Sequence, residues 1–417
     1  MIIQRILFNN DRNIVKRTYI WNLIANLLYS LQSAVLLLIV TRYGGTLEGG
    51  IFSIIYTTTH MFASIGNYNM RNFQVSDATN EYDFRDYWTS RVVSCIVMCV
   101  AGLAYGIIRF DEPKTVIVVL FFVGYRLTEA IEDVIHGCVQ KDGRLDAVSL
   151  ARSSRILIAS VVFSIVYVVS SDLFLASGLL FGISLGLLVI FTIALNKRYR
   201  QLSYGLYFKR IIKLLWSCLP LCISAFLQSY IVNSPKYAID AVLSSEMQTV
   251  FNILFMPLFA INVLSIFLFN PLVADMGLWW TEGNYGKLVK CIIKQILIVL
   301  GLTIVLAVCG YLIGCEVLGW VYGVELIEYK KLFMTLMLFG GISAIVTFMS
   351  VIVTIVRKQG FIIVAYGIAS IVSLVVSNKI VSSYGLKGAG ILYGMLMGIV
   401  MVVLTIVIVS VFLKKRR

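Results

Sequence analysis

The sequence predicts an all-α integral membrane protein with twelve transmembrane helices in two six-helix lobes. Three observations predict it. Hydrophobic residues fill 59% of the 417 positions and charged residues only 13%, against roughly 25% charged in a soluble domain. Apolar stretches of about 20 residues, the length that crosses a bilayer, recur along the whole chain, and mean hydropathy is +0.91. Lys and Arg are shared unequally between alternate connecting segments.

The stretches fall near 18–40, 50–70, 91–108, 115–136, 152–170, 173–195, 214–234, 250–273, 291–313, 332–355, 361–380 and 389–412. The bilayer core offers no water to satisfy backbone groups, so each is read as a helix. With the N-terminus inside, the inner segments hold 26 Lys and Arg, the outer loops hold 8, and Arg126 within a helix completes the 35. Both termini are therefore expected in the cytoplasm. The net charge of +14 follows from this topology and from anionic lipid, and needs no nucleic-acid partner. The first stretch is too long for a signal-peptide core and lacks a small-x-small cleavage site after it, so it is read as the first span.

The strongest basic cluster, Lys197, Arg198, Arg200, Lys209, Arg210 and Lys213, separates spans six and seven. It divides the chain into an N-lobe, 1–205, and a C-lobe, 206–417. Six spans per lobe give both halves the same orientation, related by an axis along the membrane normal. A faint internal echo accompanies this: Thr41-Arg42-Tyr43 before Ile51-Phe52-Ser53-Ile54, and Pro235-Lys236-Tyr237 before Phe251-Asn252-Ile253-Leu254.

Metal and nucleotide chemistry find little support. Most of the eight cysteines lie in predicted helices. The pairs Cys95/Cys99 and Cys218/Cys222 have helical spacing and read as small packing residues. His60 and His136 are too few for a zinc site. No phosphate-binding loop, HExxH or GxSxG motif occurs, so neither a cofactor nor an ATP-driven step is expected.

Polar residues are aligned rather than scattered. In span four Arg126, Glu129, Glu132, Asp133, His136 and Gln140 occupy a sector of roughly 120° at about 100° per residue. Ionisable groups cost roughly 2.5–3.5 kcal/mol each at membrane depth, so the stripe implies a hydrophilic space between helices, the architecture of a transporter. A second reading of Glu132 to Gln140 is a solvated extension beyond the lipid. Span two aligns Ser53, Thr57, His60, Ser64, Asn67 and Arg71. Span one aligns Thr18, Asn22, Asn26, Tyr29 and Ser33. Span seven aligns Ser229, Asn233 and Lys236, with Gln228 beside them. Singly, such Ser, Thr and Asn residues also serve as interhelical glue. Arg126 and Glu129, one turn apart, are placed to pair. Arg42, Arg71, Arg126 and Lys236 are the candidate grips for an anionic substrate, because a guanidinium fork matches phosphate. Arg42, Arg71 and Lys236 also fit snorkelling anchors at helix ends.

Several strings carry a family resemblance. Trp21-Asn22-Leu23, Gly49-Gly50-Ile51-Phe52-Ser53 and Ile65-Gly66-Asn67-Tyr68-Asn69-Met70-Arg71-Asn72-Phe73-Gln74-Val75-Ser76-Asp77 resemble Wzx-type oligosaccharide flippases of the MOP superfamily. So do Glu129-Ala130-Ile131-Glu132-Asp133, Gly137-Cys138-Val139-Gln140-Lys141, Arg144-Leu145-Asp146, and Pro235-Lys236-Tyr237-Ala238-Ile239-Asp240 through Gln248, Phe251 and Met256-Pro257. The resemblance covers about 14–280; beyond that it rests on helix count. It implies two six-helix lobes around a cavity lined by helices one, two, seven and eight. The implied substrate is a polyprenyl-diphosphate-linked oligosaccharide repeat unit. It would be moved from the inner to the outer leaflet of the bacterial cytoplasmic membrane, for capsule, exopolysaccharide or O-antigen assembly, beside a polymerase and other assembly proteins. Span eight fits the lining less well, since Asn252, Asn262 and Asn270 share no tight face.

On this reading the chain is a transporter and not an enzyme, working by alternating access. Asn22, Asn26, Arg42, His60, Asn67, Arg71, Arg126, Gln228, Asn233 and Lys236 are the substrate-binding candidates. Glu129, Glu132 and Asp133 are candidates for coupling to a proton or sodium gradient or to the membrane potential. Other classes stay open. A multidrug antiporter of the same superfamily should prefer a carboxylate-rich cavity without nearby Arg. A peptidoglycan- or teichoic-acid-precursor flippase fits the same features. A polysaccharide polymerase needs larger outer loops than this chain has, and a structural scaffold leaves the aligned faces unexplained.

Overall fold

A computed structural model describes residues 7–8, 14–76, 81–196, 205–269 and 272–416. Lys197, Arg198 and Arg200 of the basic cluster, with Asp77 and Asn270, lie outside the described residues. The described chain is all helix and turn, and contains no strand.

Helices α1 (14–44) and α2 (46–67) form one continuous helical run broken at Gly45, where φ is 84°. Next come α3 (Met70–Ser76), α4 (Phe84–Arg109), α5 (Pro113–Lys141), α6 (Leu145–Ser170), α7 (Leu173–Asn196) and α8 (Ile211–Val242). They are followed by α9 (Ser245–Phe269), α10 (Val273–Thr281) and α11 (Tyr285–Cys309), which runs through a π-turn into α12 (Cys315–Tyr322). The chain continues with α13 (Lys330–Ile355), then α14 (360–384) and α15 (386–416), divided at Gly385 with φ 57°.

Among the described residues nine helical runs are long and apolar enough to cross a membrane. Two of them are helix pairs, α1 with α2 and α14 with α15. With α5, which has the length at 29 residues but carries the charged stripe, the spans come to twelve. Apolar side chains such as Ile108, Val169, Trp216, Leu312 and Leu374 stand outward, as hydrocarbon-facing residues do.

Several expected boundaries are corrected. Short loops were expected at 41–49 and 381–388; instead the helix turns its corner on one residue, a glycine that adopts positive φ without a Cβ clash. α4 starts at Phe84 and α6 at Leu145, each seven residues before the expected span. Arg91 and Arg155, counted with the inner segments, therefore lie inside helices, and both are 0% exposed.

The residues fall into two compact units. The first comprises Met1–Gly45 and Ile55–Phe226, the second Thr46–Ile54 and Leu227–Arg417. In the first unit α5 packs against α3, α4, α6 and α7, and an apolar cluster including Met70, Tyr87, Val134, Val139 and Val148 fills the end where α5 meets α6. In the second unit α13 packs against α9, α11 and the α14–α15 run. There the first turns of α2 sit on the start of α9. Thr249 Oγ1 donates to the Thr46 carbonyl at 2.6 Å, and a Cβ on Gly50 would fall 2.0 Å from the Ser245 carbonyl oxygen.

That last contact is backbone and cannot rotate away. Gly50→Ala is expected to lower stability by about 1–3 kcal/mol, the usual effect of overpacking. The check is the thermal melt in detergent. Gly301→Ala, with open space around its Cβ position, should leave the melt unchanged or slightly raised. An unchanged Gly50→Ala melt would mean that α2 and α9 do not meet this closely.

Candidate functional site

The first unit buries a charged interior built on α5. Residues 126, 129, 133, 136 and 140 recur at three or four positions and share one face. Tyr125, Thr128 and Glu132 form the adjoining face, towards α6 and α7.

Each carboxylate of α5 meets an arginine. Arg126 Nη1 donates to Glu129 Oε2 at 2.8 Å within α5. Arg155, from α6, donates to Glu132 Oε2 at 2.7 Å and to Ser184 of α7 at 2.7 Å. Arg91, from α4, donates to Asp133 Oδ2 at 2.8 Å and to the Gly66 carbonyl at 2.7 Å. Arg71, on α3, reaches Asp133 at a longer 3.4 Å and donates to Gln140 Oε1 at 2.8 and 3.0 Å. Arg71 is aimed there by a break after α2, where Tyr68 and Asn69 both take positive φ, 51° and 48°. Gln74 extends the contact by donating to the Val134 carbonyl at 3.2 Å.

A neutral layer adjoins the ions. Gln32 donates to Ser160 at 2.9 Å and accepts from Tyr56 at 3.3 Å. The Arg126 guanidinium lies 4.5 Å from the Tyr56 ring centre. Tyr29 Oη and His60 Nε2 are hydrogen-bonded at 3.0 Å, and the guanidinium of Arg152 sits 4.6 Å over the Tyr29 ring.

Two cavities open among these groups. The smaller, about 40 Å³, is lined by Tyr29, Asn67, Arg71, Glu129, Glu132, Asp133, His136 and Arg152. Its lining includes two buried acceptors without a partner among the described residues, Asn67 Oδ1 and Glu129 Oε1. The larger, about 260 Å³, is lined by Asn22, Asn26, Arg71, His136, Gln140, Ser149 and Arg152, with apolar Ala25, Leu145 and Val148. It is just below the roughly 300–1,000 Å³ of small-molecule sites. Arg71, His136 and Arg152 belong to both.

The structure thus brings together Asn22, Asn26, Asn67, Arg71, Glu129, Glu132 and Asp133 of the predicted residues. His60 reaches the group through Tyr29. Arg126 is 0% exposed and lines neither cavity. The reading of Glu132 to Gln140 as a solvated extension is corrected: Glu132 is 4% and His136 3% exposed, because Arg155 and Arg91 draw this stretch inward. Arg42 is exposed, on the last turn of α1. Gln228, Asn233 and Lys236 belong to the second unit. There Asn233 donates to the Ser229 carbonyl at 2.9 Å, Gln228 is half-buried, and Lys236 is buried with its ammonium 5.2 Å over the Phe255 ring.

Sequence reasoning missed Arg91, Arg152 and Arg155. One signal was available for Arg152. If α6 is read from Leu145, then Leu145, Val148, Ser149 and Arg152 follow i, i+3, i+4, i+7 and mark one face, the face that lines the larger cavity.

All of this defines a multi-pass helical membrane protein with an ionised interior. No protein-family model matches the chain, and no curated protein matches its sequence. Solved structures do match its shape. An inward-facing multidrug resistance MATE family transporter of the MOP superfamily superposes with TM-score 0.68 at 12% identity, over 93% of this chain and 94% of that one. A MOP superfamily transporter from Pyrococcus furiosus gives 0.59 at 11%, over 99% and 98%. An outward-facing MATE family transporter gives 0.55 at 13%, over 96% and 95%. The chain shares the fold of these solved structures.

Removing one partner of a buried ion pair strands the other charge, at a cost of about 3–5 kcal/mol. Arg155→Met should therefore depress the melting temperature sharply. Arg155→Met with Glu132→Met, which removes both charges, should recover at least half of the loss. If the double variant were less stable than the single, Glu132 would not depend on Arg155.

Proposed function

We propose that the chain is a flippase. It moves polyprenyl-diphosphate-linked oligosaccharide units from the inner to the outer leaflet of the bacterial cytoplasmic membrane by alternating access, for capsule, exopolysaccharide or O-antigen assembly. One observation carries this reading: five arginines (71, 91, 126, 152 and 155) stand against three carboxylates in the ionised interior. All three carboxylates are already paired, so the surplus charge is cationic and suits a diphosphate. Asn22, Asn26, Gln140 and Ser149 at the larger cavity offer the donors and acceptors that sugar hydroxyls require.

The larger cavity lies where α1 begins, α5 ends and α6 begins. The excess of Lys and Arg assigns that end, with both termini, to the cytoplasm, the side on which the substrate is loaded. The polyprenyl tail would stay in lipid. Glu129, with one oxygen lacking a partner among the described residues, is the first candidate for coupling to a proton or sodium gradient, followed by Glu132 and Asp133.

The fold also serves multidrug transporters, so a cation antiporter is the competing reading. An organic cation would need a free carboxylate, and here each one is matched by arginine. For the Pyrococcus protein, reversed polarity of the binding pocket is described as suggesting a different function; the sign of the pocket supports the same logic here.

The deciding measurement uses the full chain in liposomes with a fluorescent polyprenyl-diphosphate oligosaccharide. Protein-dependent exposure of the lipid to an impermeant reagent on the far leaflet is expected, with no gradient-driven export of an organic cation dye. Dye export without lipid translocation would overturn the proposal.

A further inference from the structure

Of the five interior arginines, three are committed to the fold. Arg91, Arg126 and Arg155 are each 0% exposed, each is paired with a carboxylate at 2.7–2.8 Å, and none lines either of the two cavities. Arg71 and Arg152 differ. Both line both cavities, together with His136. Arg152 makes no ion pair with any described residue; it is propped on the face of Tyr29, whose hydroxyl is tied to His60. Arg71 is held chiefly by the neutral amide of Gln140. Its 3.4 Å contact with Asp133 can be surrendered cheaply, because Arg91 keeps that carboxylate at 2.8 Å.

We infer that Arg71, from α3, and Arg152, from α6, form a two-armed clamp for a diphosphate at the first unit's cavities. Resting on the flippase reading, this deepens it by naming the residues that hold the charged group. A guanidinium fork binds two oxygens at once, and two forks from different helices match the two phosphoryl groups of a diphosphate better than a monophosphate. Arg152 needs no release before it binds, and Arg71 exchanges an amide oxygen for a phosphoryl oxygen. The expected preference for two phosphates comes from having two forks, one for each phosphoryl group.

The test is binding of farnesyl diphosphate and farnesyl monophosphate to the purified full chain in detergent. The wild type is expected to bind the diphosphate at least tenfold more tightly. Arg152→Gln and Arg71→Gln should each weaken diphosphate binding tenfold or more and erase the preference. Arg152→Lys, which keeps the charge and loses the fork, should fall between. The Arg152→Gln melting temperature should match the wild type, since no ion pair is broken. Unchanged diphosphate affinity in both Gln variants would overturn the clamp. If the wild type bound no farnesyl diphosphate, inorganic pyrophosphate would decide: binding lost in Arg152→Gln sustains the clamp while the lipid-flippase reading falls, and no binding overturns both. Clamp-dependent diphosphate binding without translocation in liposomes would sink the transport reading alone.

Discussion

The constraint that organises the first unit is the neutralisation of α5. A helix at membrane depth with Glu129, Glu132 and Asp133 on neighbouring faces is untenable alone, because each bare carboxylate would demand water. Arginines answer each one, and most come from other helices: Arg91 from α4, Arg155 from α6 and Arg71 from α3. The ion pairs therefore fix which helices surround α5 and at what rotation. Packing follows from that arrangement. Such pairs add little net stability over an apolar core and are costly to break singly. Their value is in specifying one arrangement of otherwise interchangeable apolar helices.

The second unit solves the same problem by avoidance. Among its described residues Lys236 is the one buried charged side chain, and the rest of its buried polar groups belong to Ser, Thr, Asn, Gln and Tyr. Several act as interhelical glue: the Ser234 and Ser373 hydroxyls are bonded across α8 and α14, and Asn262 donates to Ser343 at 3.2 Å. Nothing inside this unit requires charged groups to come together in one register. Close helix approach does that work instead, at Gly50 on Ser245 and at Gly341, where a Cβ would meet the Thr303 side chain at 2.4 Å.

Much of this was legible from sequence, and the reasons are local. Hydropathy finds spans because each must fill the hydrocarbon alone. The α5 stripe is visible because helical periodicity depends on one segment only. The i, i+3 spacing of Arg126 and Glu129 foretold a pair that forms at 2.8 Å. What was hidden depends on partners distant in sequence. An apolar-window search trims the first seven residues of α4 and α6, so Arg91, Arg152 and Arg155 fall at or near the starts of the expected spans. They were counted as topology anchors because a lipid-based scale assumes that a charge at a helix end faces water. Here Arg91 and Arg155 face α5. The corner at Gly45 was hidden for another reason, since a one-residue break looks like a short loop to any composition-based reading.

The surplus of positive charge is what makes the ionised interior more than a structural device. A purely structural network has no need of a surplus, since every carboxylate on α5 is already paired. Around α5 the count does not balance, and the excess is not spread evenly. The three arginines with no exposure carry the short pairs, while the two at the cavities carry long or no pairs. Charge left over after folding and placed where solvent can reach is stabilised by whatever anion arrives. An anion that binds only the folded unit then stabilises it by mass action. Anion binding and tightening of the α3–α5–α6 contacts are thus one event. On the flippase proposal, that coupling would distinguish the loaded from the empty state before any change of conformation.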